Sequence, residues 1–160
     1  MKKPVVLFAL ALAGALIAQD APLTEKDVPK KVVTARNKKA AALKNKKTTW
    51  SKNAAGEYVA ELKIGGNPAE ETPPDQTLTA RFKEDGTWIE TENVLSPYGE
   101  KVKKKLVPKN IQKACAKLAD GGPFMPGGVT IKQSPAGMTV EASCGDRVTF
   151  DKKAKVVKKE

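Results

Sequence analysis

Cys115 and Cys144 are the only cysteines in this chain of 160 residues, and the sequence has no histidine. Two thiols fall short of a four-ligand zinc site. Without an imidazole beside it, neither thiol has the usual base that would make it a catalytic nucleophile. The acids are the next candidates. Glu84-Asp85 and the neighbours Glu90 and Glu92 are the densest carboxylates near strand-like runs. Paired carboxylates suit acid–base work or calcium binding, but this spacing matches no EF-hand loop, and turn and strand-surface roles account for them. The glycine pairs that begin at Gly65, Gly121 and Gly127 are not followed by Lys-Ser or Lys-Thr, so none reads as a phosphate-cradling loop. There is no Gly-x-Ser-x-Gly elbow. No catalytic residue, metal ligand set or cofactor site is expected, and the chain is read as a non-enzyme.

Charge is the stronger signal. Lys and Arg number 29 against 18 Asp and Glu, a formal net charge of +11. Lysines cluster at Lys38-Lys39, Lys44 to Lys47, Lys101 to Lys105 and Lys152 to Lys159. Such runs either form solvated faces or attract anions such as lipopolysaccharide, anionic lipid, an acidic protein or nucleic acid. The only arginines are Arg36, Arg81 and Arg147, and the lysine runs carry no interleaved aromatics. Base stacking and bidentate base reading have little to work with, which argues against specific nucleic-acid binding.

The first residues read as an address. Lys2 and Lys3 precede fourteen apolar residues, Val5 to Ala18. That suits the apolar region of a signal peptide and is too short to span a bilayer comfortably. Cleavage after Ala18 is favoured over Ala15, because Gln19-Asp20-Ala21-Pro22 reads as a flexible mature start. Losing residues 1–18 removes two lysines and takes the charge from +11 to +9. No later segment is apolar enough for a membrane helix, so a periplasmic or secreted location is expected, in a compartment that oxidises thiols.

The elements that would position these residues recur once. Val28-Pro29-Lys30-Lys31-Val32 reappears as Val107-Pro108-Lys109-Asn110-Ile111, and proline suits a helix start. Ile111, Ala114, Cys115 and Leu118 lie on one helical face; Val32, Ala35, Ala42 and Leu43 make a thinner stripe. Strand signals follow each helix. Tyr58, Ala60, Leu62 and Ile64 alternate with polar or outward residues, as do Met138, Val140, Ala142 and Cys144. Leu78, Ala80 and Phe82 precede the turn Glu84-Asp85-Gly86 and then Trp88; Val148 and Phe150 precede a second turn and then Val156. The predicted fold is therefore α+β, with two tandem repeats, each one α-helix packed on a four-stranded antiparallel sheet. The expected boundaries are 1–18 signal peptide, 19–95 first repeat, 96–106 linker and 107–160 second repeat.

Cys115 falls on the apolar face of the second helix and Cys144 on the apolar side of its strand. A Cys115–Cys144 disulfide is predicted, with two buried free thiols as the alternative. Trp50, Tyr58, Phe82 and Phe150 read as core. Trp88 follows a turn, and Tyr98, Phe124 and Met125 sit in loops between Pro and Gly. These four are the candidate partner-binding residues, since apolar loop side chains can anchor a partner surface.

Several of these residues carry a resemblance. Val28-Pro29 before a helix, Trp50, Tyr58-Val59-Ala60-Glu61-Leu62 and Phe82-Lys83-Glu84-Asp85-Gly86-Thr87-Trp88 resemble the PepSY-like domains, secreted bacterial proteins also described as β-lactamase-inhibitor-like. The likeness spans residues 24–160. Leu62 stands where that pattern has an aromatic, Lys83 replaces an Asp, and Lys153-Ala154 lacks the second Asp-Gly. The resemblance implies a non-catalytic fold and no reaction, and it carries over no functional residue. The function expected is a secreted, non-catalytic binding module, an inhibitor or regulator of an unknown envelope protein. The alternative is a basic envelope protein that binds polyanions or the membrane surface through its lysine patches.

Overall fold

A computed structural model of the chain describes residues 21–67, 69, 71–98, 100–119 and 127–160. The expected signal peptide, residues 1–18, lies outside the described residues. Nine strands form one antiparallel sheet in sequential order. They are β1 (Ala21–Leu23), β2 (Thr49–Lys52), β3 (Tyr58–Ile64), β4 (Gln76–Phe82), β5 (Trp88–Leu95), β6 (Val129–Ser134), β7 (Gly137–Cys144), β8 (Asp146–Asp151) and β9 (Val156–Lys159). The helices are α1 (Lys30–Lys39), α2 (Glu100–Leu106) and α3 (Lys109–Leu118).

The expectation of two separate helix-on-four-strand repeats is corrected by this topology. β5 pairs with β6 through Thr91↔Gln133, Asn93↔Ile131 and Leu95↔Val129, so the sheet runs unbroken from β1 to β9. The protein is mostly β, with three small helices on the sheet. The physical reason is edge removal. Two separate sheets would expose four strand edges, and the β5–β6 ladder satisfies two of them. Ala21-Pro22, expected as part of a flexible start, instead pairs with Lys52 and Ser51, and Leu23 extends the strand opposite Trp50. Proline is tolerated there because β1 is an edge strand. The stretch 96–106, expected as a linker, contains α2.

Helix starts follow the sequence closely. Pro29 and Pro108 occupy the N-cap positions of α1 and α3, and their carbonyls accept the first helical hydrogen bonds, from Val32 at 2.9 Å and Ile111 at 3.0 Å. Each helix buries a short stripe, Val32 and Arg36 in α1, Ile111 and Cys115 in α3. Cross-strand partners share a face of the sheet, which places Trp50, Ala60, Ala80 and Phe82 under α1 and Val129, Val140, Val148 and Phe150 under α3. One face therefore carries two apolar cores side by side. The other carries Glu61, Thr79, Glu90, Glu92, Lys132 and Glu141 and has no helix over it among the described residues.

The β4–β5 turn also touches α1. Gly86 takes φ +88°, and a Cβ there would stand 2.9 Å from the Lys31 carbonyl oxygen. Only glycine meets both conditions without strain. In the corresponding β8–β9 turn Ala154 adopts φ +64°.

Candidate functional site

The two cores do not meet in an apolar seam. Between them, on the helical face, the central strands carry polar side chains: Gln76 opposite Leu95, Thr91 opposite Gln133, and Asn93 opposite Ile131. Gln76 Nε2 donates to Asn93 Oδ1 at 3.0 Å, and Trp88 Nε1 donates to Thr91 Oγ1 at 3.0 Å. Over this stripe the helical layer is interrupted. The gap is a groove of about 310 Å³. Its floor is Thr91, Asn93, Ile131 and Gln133; Ala40 to Ala42 after α1 and Leu106 at the end of α2 form the walls. Among the described residues Lys39 is the one charged side chain that lines it, and its Nζ stands 5.7 Å from the Trp88 ring centroid. An apolar wall, two amide side chains and one ammonium make a site for a mixed polar and apolar ligand bearing negative charge. The volume falls at the low end of small-ligand clefts.

Charge is segregated by face. Among the described residues the three helices present nine exposed lysines, and α1 and α3 contain no acid. The helix-free face is balanced by ion pairs. Arg81 bridges Glu57 at 3.2 Å and Glu90 at 3.1 Å, Lys132 meets Glu92 at 3.1 Å, Lys63 meets Glu61 at 3.1 Å, and Arg147 pairs with Glu141. A one-sided charge surplus makes a field that attracts anions to that side. The groove opens within it.

Three of the acids singled out in the sequence have structural partners. Glu90 and Glu92 are in the ion pairs just named. Asp85 Oδ1 accepts from the Thr87 N–H at 2.7 Å, and hydrogen bonds from the Thr87 backbone and hydroxyl hold its carboxyl below the usual carboxylate range. Among the described residues no group of three or more His, Cys, Asp or Glu is placed to hold a metal ion.

The candidate partner-binding residues are not brought together. Trp88 is half-buried against the first core and reaches the groove through Thr91 and Lys39. Tyr98 is 81% exposed and lines a separate cleft of about 600 Å³ with Gly66, Thr72, Pro73 and Asp75. Trp88 opens β5 and Tyr98 follows its other end, so a strand roughly 24 Å long at the usual rise per residue separates them. Phe124 and Met125 lie outside the described residues. The predicted disulfide is present, joining Cys115 of α3 to Cys144 of β7 with a Cα–Cα distance of 5.2 Å.

Two cations were not legible as structural. Lys103 belongs to a run expected to be solvated or to attract anions, yet it is 2% exposed, and its Nζ donates to the carbonyls of Pro97 at 2.6 Å and Gly127 at 3.3 Å. It ties the end of β5 to the approach to β6. Arg36 is 3% exposed and occupies the position in α1 that Cys115 occupies in α3. Its Nη1 donates to Glu25 at 2.8 Å and Thr48 at 3.1 Å, and the guanidinium lies 5.4 Å from the Trp50 ring centroid. A polar clamp thus fixes helix to sheet in the first core where a disulfide does so in the second.

No protein-family model matches the chain, and no curated protein matches it. Solved structures do. A DUF2874 family protein from Bacteroides ovatus ATCC 8483 is 17% identical, with 83% of this chain and 86% of that chain covered at a TM-score of 0.51. A protein from Bacteroides eggerthii DSM 20697, described as one of the "putative periplasmic proteins", is 18% identical, with 83% and 88% covered at a TM-score of 0.50. At such identities the likeness is one of fold. Neither description carries the PepSY-like or β-lactamase-inhibitor-like designation.

Proposed function

We propose that this protein is a periplasmic, non-catalytic binding module whose helical face docks an envelope protein and inhibits or regulates it. The observation that carries this reading is the groove over Thr91, Asn93 and Gln133, open at the centre of the cationic face. The fold likeness to a protein described as periplasmic supports the location, as do the apolar run Val5 to Ala18 and the disulfide. The absence of histidine from the sequence and the engagement of both cysteines in a disulfide support a binding role over a catalytic one. The PepSY-like relationship belongs to the same proposal and rests on the Tyr58–Leu62 and Phe82–Trp88 segments.

The test uses the purified protein as bait in envelope extract at physiological salt. The expected result is one saturable partner, lost with Ala42→Arg or Leu106→Arg at the groove walls and kept with Thr139→Arg on the opposite face. Retention no greater than on a charge-matched control protein overturns the proposal. The charge segregation favours a second reading, attachment to anionic lipid or lipopolysaccharide. Vesicles containing anionic lipid then bind the protein in low salt and release it steeply towards physiological salt, because the Debye length shrinks from about 30 Å at 0.01 M to about 8 Å at 0.15 M. Salt-insensitive binding removes that reading.

A further inference from the structure

A linear nine-stranded sheet leaves two open edges, β1 and β9, and they are built differently. β1 has three residues and carries Pro22, which has no N–H to offer; short length and proline are standard ways to blunt an edge. β9 has four residues, all exposed, and no proline. Val156 is 41% and Val157 55% exposed. The β8–β9 ladder pairs Phe150 with Val156 and Thr149 with Lys158, so its register shifts at Val157; an incoming strand would meet the exposed Val156 on the face that carries Phe150. The Glu160 N–H donates inward to the Arg147 carbonyl at 2.9 Å. By the alternation of an antiparallel ladder, the backbone groups of Lys159 then point outward.

The charge around this edge is selective. Lys152, Lys153, Lys155, Lys158 and Lys159 are all exposed within or beside β9. Lys158 pairs with Glu160, and Lys159 pairs with Asp146 at 2.9 Å. Lys152, Lys153 and Lys155 make no ion pair among the described residues. The nearby Asp151 carboxylate is taken up by the backbone N–H groups of Lys153 at 2.8 Å and Lys155 at 2.9 Å. Pairing with a second copy would bring two such lysine sets together along one seam, and like charges opposed across strands are destabilising. An acidic strand meets the reverse situation.

We propose that the outer edge of β9 is a strand-addition site for an extended acidic segment of a partner protein. Main-chain hydrogen bonds from β9 supply the attachment, and the lysines select acidic side chains and exclude self-pairing. This site is distinct from the groove between the helices and stands or falls independently of it.

The probe is a fluorescein-labelled eight-residue peptide alternating glutamate and valine, titrated into the whole protein at physiological salt and followed by anisotropy. Saturable binding is expected, with amide shifts centred on residues 156–159. The same peptide N-methylated at alternate residues keeps its charge and loses its donors; it is expected to bind at least tenfold more weakly. Lys155→Glu is expected to weaken the unmodified peptide about threefold, and Ala42→Arg to leave it unchanged. Equal binding of the N-methylated peptide, or shifts centred on the lysines of α1 and α3, refutes strand addition. Concentration-dependent dimerisation with protection of β9 amides also refutes it, because the occupant is then a second copy.

Discussion

Reduction of the disulfide separates one cooperative sheet from two independent units. Cys115 and Cys144 are 29 residues apart and both belong to the second core. Both tryptophans, Trp50 and Trp88, belong to the first. In the chain-entropy model, closing a loop of that length contributes about 3.6 kcal/mol through the unfolded state. With a urea dependence of about 2 kcal/mol/M for a protein of this size, losing it lowers the unfolding midpoint by about 1.8 M. The β5–β6 ladder couples the cores, so the loss should appear in tryptophan fluorescence even though no tryptophan lies near the disulfide. The assay is urea unfolding of oxidised protein and of Cys115→Ala/Cys144→Ala, followed by tryptophan fluorescence and by far-ultraviolet circular dichroism. Coincident curves, both shifted by more than about 1 M, are expected. A fluorescence transition unmoved by the double substitution, with only part of the dichroism signal lost early, would refute the coupling.

Three further expectations concern the first core. Arg36→Ala removes the hydrogen bonds to Glu25 and Thr48 and the contact with Trp50; because Glu25 is half-exposed, the loss should be about 2 kcal/mol, read as a lower urea midpoint, and an unchanged midpoint contradicts the clamp. Gly86→Ala adds a Cβ 2.9 Å from the Lys31 oxygen at φ +88° and should cost about 2 kcal/mol, whereas Gly137→Ala, with nothing within 4 Å, lacks the clash and pays only for its φ of +134°. Hydrogen bonds from the Thr24 hydroxyl and backbone lower the Asp27 carboxyl, and those from Thr87 lower Asp85. Depressed folded values mean stability that is present above the unfolded value near 3.8 and lost as pH falls through the folded values. The thermal midpoint should therefore drop on acidification below that point, and drop less in Asp27→Asn/Asp85→Asn; equal slopes in the two proteins contradict the assignment.

Local elements were legible because their signals are local. The Val-Pro starts and the spacing of Ile111 and Cys115 mark α3, and the alternation through Tyr58–Ile64 and Met138–Cys144 marks β3 and β7. Those two patterns together point both cysteines into one layer, which made the disulfide readable. The joining of the halves was not. The pairing of Asn93 with Ile131 is a long-range choice between strand edges, and nothing within either strand announces it. β1 has too few residues to show alternation, and α2 is lysine-rich with only Val102 and Leu106 apolar. The burial of Lys103 depends on two carbonyls delivered by distant backbone. The groove left a faint trace: Thr91 and Asn93 share the sheet parity of Leu95, and polar residues at apolar parity mark a place the helices do not cover. The clamp of Arg36 needs Glu25 and Thr48, which sequence alone does not bring near it.

The claim at the centre of the account is that partners meet the helical face and not the ion-paired one. Site-specific photocrosslinking in the native periplasm tests it, with a photoreactive residue placed in turn at Ala42, Leu106 and Thr139. One discrete crosslinked product shared by the Ala42 and Leu106 positions is expected, and none from Thr139. A product from Thr139 alone, or no product from any of the three, contradicts it.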